Sequence, residues 1–188
     1  MPSRSAPTLS SFLLAAAALS SLPAAQCAAA PIDSASLETG SGPSVRMLRV
    51  GVQSGWEGRR WFEGNGRHLA GYWDLTLARW RGTAFNDVAG ARQLVTDAGL
   101  TPVLRYAADD GRGWYAEGGI GVHLLSHVYN NDGKHLSTAF EFGDHLGAGY
   151  VFANGWDLGL KLQHFSNAGI KEPNSGVNYV LLKLAMPF

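Results

Sequence analysis

The sequence predicts an all-β fold, an eight-stranded antiparallel transmembrane β-barrel, and three observations carry that expectation. An export signal opens the chain, apolar and polar residues alternate with a period of two from Val45 onward, and the last segment ends in phenylalanine with apolar residues at every second position. The chain has 188 residues, a formal net charge of zero and 24 glycines, which suits one domain and leaves no electrostatic footprint for nucleic acid. Beyond the signal there is no apolar run long enough for a membrane helix, so a membrane reading has to be a barrel.

Residues 1–30 read as a signal peptide: Arg4, an apolar stretch from Phe12 to Leu19, then small residues suited to signal peptidase. Cys27 is the single cysteine and lies inside or beside this signal, so the mature domain has no internal disulfide. Gln26 before it argues against lipidation, which needs a small residue there. Residues 31–44, rich in Ser, Gly and Pro, are expected to be a flexible lead-in, and the barrel domain is expected over 45–188.

Eight segments can be drawn, at about 45–55, 68–80, 87–95, 99–107, 113–126, 136–152, 156–167 and 177–188, punctuated by glycine, asparagine and aspartate. The third has the weakest pattern. Leu69, Trp73, Leu75 and Leu77 share one face of the second, while Tyr72, Asp74 and Thr76 share the other. In the fifth, Trp114, Ile120, Val122 and Leu124 oppose Tyr115, Glu117 and His123. A soluble sandwich alternates in the same way with its apolar face inward, so parity alone does not choose.

The final segment, with Val180, Leu182, Leu184, Met186 and Phe188 on one face, resembles the assembly signal of bacterial outer-membrane barrels. That resemblance implies the outer membrane as location and the barrel assembly machinery as a partner in biogenesis. The physical requirement agrees, because strands in hydrocarbon need both edges paired and only closure provides this. An eight-stranded interior is filled by side chains, so Asp74, Glu117, His123, Glu141 and Lys183 read as a packed polar network rather than a pore. With these segments, EGRRWFEGNGR, HVYNNDGKH and NAGIKEPNSG fall on the outer side, and the turns DDGRG and ANG on the periplasmic side.

One segment breaks the apolar row. In LGLKLQHFSNAGIKEPNSG, Leu158, Leu160 and Leu162 share a face that continues into His164 and Ser166. Such residues can simply sit in the membrane interface, where polar side chains are tolerated. Yet two residues apart on a strand they lie on one face, within reach for an imidazole to take a hydroxyl proton, and they face ester-linked acyl chains. The stretch His164-Phe165-Ser166-Asn167-Ala168-Gly169, followed by Lys171-Glu172-Pro173-Asn174 before the last strand, resembles the PagL family of outer-membrane lipid A 3-O-deacylases. Supporting similarity runs through STAFEFGDHLG and the C-terminal strand.

The resemblance implies a serine esterase that removes the 3-hydroxyacyl chain at the 3-position of lipid A in the outer leaflet. Ser166 would be its nucleophile, His164 its general base, and Gly169 and Asn174 its oxyanion donors. The family's acid position falls on Asn178, an amide here, which leaves Glu172 as an alternative acid. Lipopolysaccharide is the implied substrate and outer-membrane lipids the surroundings; no cofactor or metal is expected, and a homodimer is one option for the oligomeric state. A phospholipase or acyltransferase on the same wall, or a structural or binding barrel with a decayed site, are the rival readings.

Glu141, His145 and His123 could suggest a metal, but i,i+4 spacing on a strand separates residues by about 13 Å, so a lumen network is the better account. The six tryptophans include interface anchors or packing groups. Arg59, Arg60 and Arg67 are expected in an outer loop, there to contact lipid phosphates or to be solvated.

Overall fold

The computed structural model describes residues 31–188, so the expected signal peptide and Cys27 lie outside the described residues. The elements are β1 (Ser34–Gly42), β2 (Val45–Gly55), β3 (Trp61–Gly64), β4 (Arg67–Gly82), β5 (Gln93–Ala108), β6 (Gly113–Leu125), β7 (Asn130–Asn131), β8 (Lys134–His135), β9 (Phe140–Val151), β10 (Asp157–Ser166) and β11 (Val177–Pro187). The sheet runs β2-β1-β11-β10-β9-β6-β5-β4 and closes through β2–β4, with every pairing antiparallel. This is an eight-stranded barrel, with β3 a short flap beside β4 and β7–β8 a small hairpin in a connection.

Two expectations about its strands are corrected. Residues 34–42 are not a flexible lead-in but β1, hydrogen-bonded to β11 on one side and β2 on the other. Small residues misled the reading, yet Leu37 faces outward and Glu38 inward, as a strand requires. The segments drawn at 87–95 and 99–107 are not two strands: 93–108 is one strand, β5, and 87–92 belongs to the connection before it. Pro102 suggested a break because it has no N–H; here the ladder to β6 skips Thr101 and Pro102 and resumes in the same register.

The missed strand and the merged pair cancel in the count but not in the topology. Connection 56–66, expected outside, lies at the same end as the turns after β5 and β9, where Arg60 Nη2 meets Asp109 Oδ1 at 2.6 Å. Connections 43–44, 83–92, 126–139 and 167–176 share the opposite end, tied by Ser44 Oγ to Asp132 (2.6 Å) and Ser137 Oγ to Pro173 O (2.7 Å).

Inside, the lumen has two parts. Toward the turn end it is charged: Lys161 Nζ lies 2.7 Å from Glu38, Arg49 Nη1 3.1 Å from Glu38, Arg105 Nη2 2.6 Å from Glu117 and Lys183 Nζ 3.3 Å from Asp157. Groups buried this way are tolerable only when paired, and each pair here also ties different strands together. Toward the other end an aromatic plug closes the lumen, where Trp80 packs on Phe165 (4.6 Å between centroids), Tyr179 (5.2 Å) and Tyr129 (5.8 Å). Tyr129 and Leu136 come from the 126–139 connection and are buried beneath it. The outer wall is apolar, with Leu75, Leu104, Ile120, Leu146, Leu160, Leu162, Val180 and Leu182 all exposed.

Candidate active site

β10 places the site. Its inward row, Gly159, Lys161, Gln163 and Phe165, is buried, and its outward row runs Leu158, Leu160, Leu162, His164, Ser166. Phe165 sits between the last two and is fully buried against Trp80, His123 and Tyr179. Anchoring that ring inward commits His164 and Ser166 to the outer face. Both are half-buried, at the end of the barrel where the long connections gather.

His164 stands between two cross-strand partners, Asn178 on β11 and Asp144 on β9. Its Nδ1 lies 2.6 Å from Asn178 Oδ1. An amide oxygen only accepts, so Nδ1 carries the proton and Nε2 is left with a lone pair, the state a general base needs. Asp144 and Gly176 are features of the site that the motif did not reveal. A Cβ on Gly176 would come within 2.5 Å of His164 Cε1, and φ there is +68°, so glycine is required twice over. Register could have pointed to Asp144, since it follows once β9 and β10 are paired; the contact at Gly176 needs coordinates.

The connection after Ser166 is built by asparagine side chains. Asn167-Ala168-Gly169-Ile170 is a tight turn closed by Ile170 N–H to Asn167 O (3.0 Å), with φ of 53° at Ala168 and 79° at Gly169. Positive φ at both central residues is the type I′ signature, which glycine meets without strain. Asn167 is buried, accepting from Gly169 N–H at 3.0 Å and donating to Lys171 O at 2.8 Å. Asn174 Oδ1 accepts from Asn167 N–H at 3.1 Å, which leaves the Asn174 amide NH2 as a donor. Gly169 therefore has its N–H engaged by Asn167, whereas Asn174 has donor capacity to spare. Glu172 accepts from Asn174 N–H at 2.8 Å, so its carboxylate braces the loop while His164 Nδ1 is held by Asn178.

Beside these groups the wall forms a groove of about 480 Å3, lined by Pro43, Asp144, Leu146, Leu162, His164 and Asn178 among others. Its floor is apolar and one edge carries an imidazole, an amide and a carboxylate. Such a surface suits an acyl chain lying along the barrel with its polar end at His164. The described residues contain no cluster of metal-ligand side chains, and Glu141 and His145 lie in the lumen. Arg59, Arg60 and Arg67 lie at the other end of the barrel from the site.

Comparison with known proteins gives a consistent result. A family model described as lipid A 3-O-deacylase (PagL) matches residues 46–187. Lipid A deacylase PagL of Pseudomonas aeruginosa is 36% identical over 172 residues, covering 91% of this chain and 94% of that protein. The protein of the same name from Bordetella bronchiseptica is 40% identical over 94 residues, 50% of this chain and 51% of that one. Among solved structures, that of the outer membrane enzyme PagL matches with a TM-score of 0.71 and 30% identity, covering 82% of this chain and 99% of that chain.

Proposed function

Because the chain belongs to the PagL family of lipid A 3-O-deacylases, we propose that Ser166 and His164 are the nucleophile and general base with which it acts. The enzyme is an outer-membrane lipid A deacylase, and its substrate lies in the lipid that surrounds the barrel. Ser166 Oγ attacks the ester carbonyl of the 3-hydroxyacyl chain while His164 Nε2 takes its proton. The tetrahedral oxyanion is met by the Asn174 amide, a preorganised donor of the kind worth about 10²–10³ in rate. His164 then gives the proton to the departing sugar oxygen, and water, activated by the same imidazole, releases the acyl chain as free acid.

The observation that carries this reading is the outward His164, held through Nδ1 by Asn178 two residues before Ser166 on the same face. Asn178 fixes the tautomer but brings no charge. Asp144, directly across from His164 on the neighbouring strand β9, supplies a carboxylate on the same outward face to favour the imidazolium as it forms. Residues 1–30 serve as the export signal that delivers the barrel to its assembly machinery.

Mass spectrometry of lipid A from Gram-negative cells expressing the chain tests the reading. Wild type should remove one 3-hydroxyacyl group, and Ser166→Ala, equally abundant and folded in the outer membrane, should leave lipid A intact. Deacylation by the Ser166→Ala barrel would refute the assignment.

A further inference from the structure

The outer wall beyond β11 carries a charge arrangement that ester hydrolysis does not use. Arg46 on β2 and Arg81 on β4 are direct cross-strand partners, both exposed on the outer face. Arg79, two residues earlier on β4, faces the same way and donates to Thr96 Oγ1 at 2.6 Å. Like charges placed directly opposite each other destabilise a sheet unless an opposite charge lies between them. Among the described residues none of these three arginines forms an ion pair. The pair stands at the first turn of β2 and the last of β4, near the membrane interface, where an arginine on the wall costs little.

Beside this pair lies a hollow of about 490 Å3, lined by Ser41, Gly42, Ser44, Arg46, Arg81 and Thr83. It shares Ser41 and Gly42 with the groove beside His164, so the two hollows adjoin across β1. Two of the three rim hydroxyls are already engaged, Ser44 Oγ by Asp132 and Thr83 Oγ1 by Ser44 O, which leaves the two arginines as the charged groups of the rim, with Ser41 beside them.

We propose that Arg46 and Arg81 form a site for a phosphate monoester, occupied during catalysis by the phosphate on the lipid A sugar that does not bear the scissile ester. The proposal rests on the deacylase reading above. Guanidinium groups pair with phosphate through two parallel N–H bonds, and two of them facing each other need an anion of more than one charge. From β10 to β2 and β4 is three to four strand spacings, roughly 14–19 Å along the wall. That span is too long for a phosphate on the sugar being deacylated and suits one a sugar further on. A bound disaccharide would then be fixed at two points, which sets which ester meets Ser166.

Steady-state deacylation in neutral detergent micelles tests this, using bis-phosphorylated lipid A and the two forms lacking one or the other phosphate. The enzymes are wild type, the double variant Arg46→Ala with Arg81→Ala, and the corresponding double lysine variant. On the bis-phosphate the alanine pair should raise KM about ten-fold or more with kcat unchanged, and the lysine pair should recover part of that. Wild type should show the same rise on the form lacking the phosphate of the sugar without the scissile ester, where the alanine pair adds nothing. A further KM rise of equal size from the alanine pair over wild type on that form would mean the arginines meet bystander lipid phosphates, and no rise from the alanine pair on the bis-phosphate would mean they meet none; either overturns the proposal. If the alanine pair does not fold, the single variants Arg46→Ala and Arg81→Ala are compared on the same three substrates, and no KM rise in either on the bis-phosphate overturns the proposal. Wild type inactive on all three would instead overturn the deacylase reading, and this proposal with it.

Discussion

The two faces of β10 are made by the same ten residues, yet they do different work. Inward, Lys161 is 2% exposed and pairs with Glu38, while Phe165 is fully buried in the aromatic plug. Outward, Leu162 is 65% exposed to the surroundings and His164 and Ser166 follow it. The inward row is bound by requirements of packing and charge pairing; the outward row needs only to be apolar where it meets lipid. A strand therefore lets chemistry be written on one face while the other holds the fold, and substitutions on the two rows should fail in different ways.

The largest expected effect is on the outward row. Ser166→Ala or His164→Asn should lower deacylation by about 10⁴-fold or more while heat-modifiable migration stays normal, and the double variant should be no worse than either, because the two act as one unit. An unfolded barrel in either case would contradict the separation of the rows.

On the inward row, Phe165→Ala should instead lower stability by about 3–5 kcal/mol through the cavity left beside Trp80, seen as a lower thermal midpoint. Its activity should fall as a secondary effect, since the ring is what holds its neighbours outward. Gly176→Ala crosses the two categories: it should cost about 1–2 kcal/mol for its left-handed backbone and push the His164 ring aside, lowering the rate roughly 10–100-fold. A Gly176→Ala enzyme of full activity would mean that the ring has room to move.

The smallest effects concern the orienting groups. Asn178→Glu should keep or raise the initial rate, since a carboxylate holds Nδ1–H equally well and favours the charge gained in the transition state. Glu172→Gln should change the rate little, because its carboxylate serves Asn174 N–H. The reverse pattern, with Glu172→Gln damaging and Asn178→Ala silent, would show that Glu172 leaves its loop to orient the histidine.

How far the sequence could be read follows from the same two rows. Period-two alternation identified the faces of the later strands, because Asp74, Glu117, His123 and Glu141 mark the interior where a lone glycine does not. It failed at Ser34–Gly42, where small residues form a strand whose pattern rests on Leu37 and Glu38, and at Pro102, which interrupts a ladder without ending its strand. The consequence was an arginine loop assigned to the wrong end. His164 and Ser166 stood out because they continue the outward row of β10, whereas Asn174 and Asn178 were named only through the resemblance of the motif to the family. Asp144, Gly176 and the Arg46–Arg81 pair depend on register between strands distant in sequence, which alternation within one segment does not contain.

The central claim is that a serine on the lipid-facing row is activated by the histidine two residues before it. Labelling the folded, detergent-solubilised enzyme with a lipophilic fluorophosphonate, then locating the adduct by peptide mass spectrometry, tests it most directly. The adduct should sit on Ser166 alone and vanish in His164→Asn. An enzyme that deacylates lipid A yet carries its label on another residue, or none on Ser166, would contradict the account.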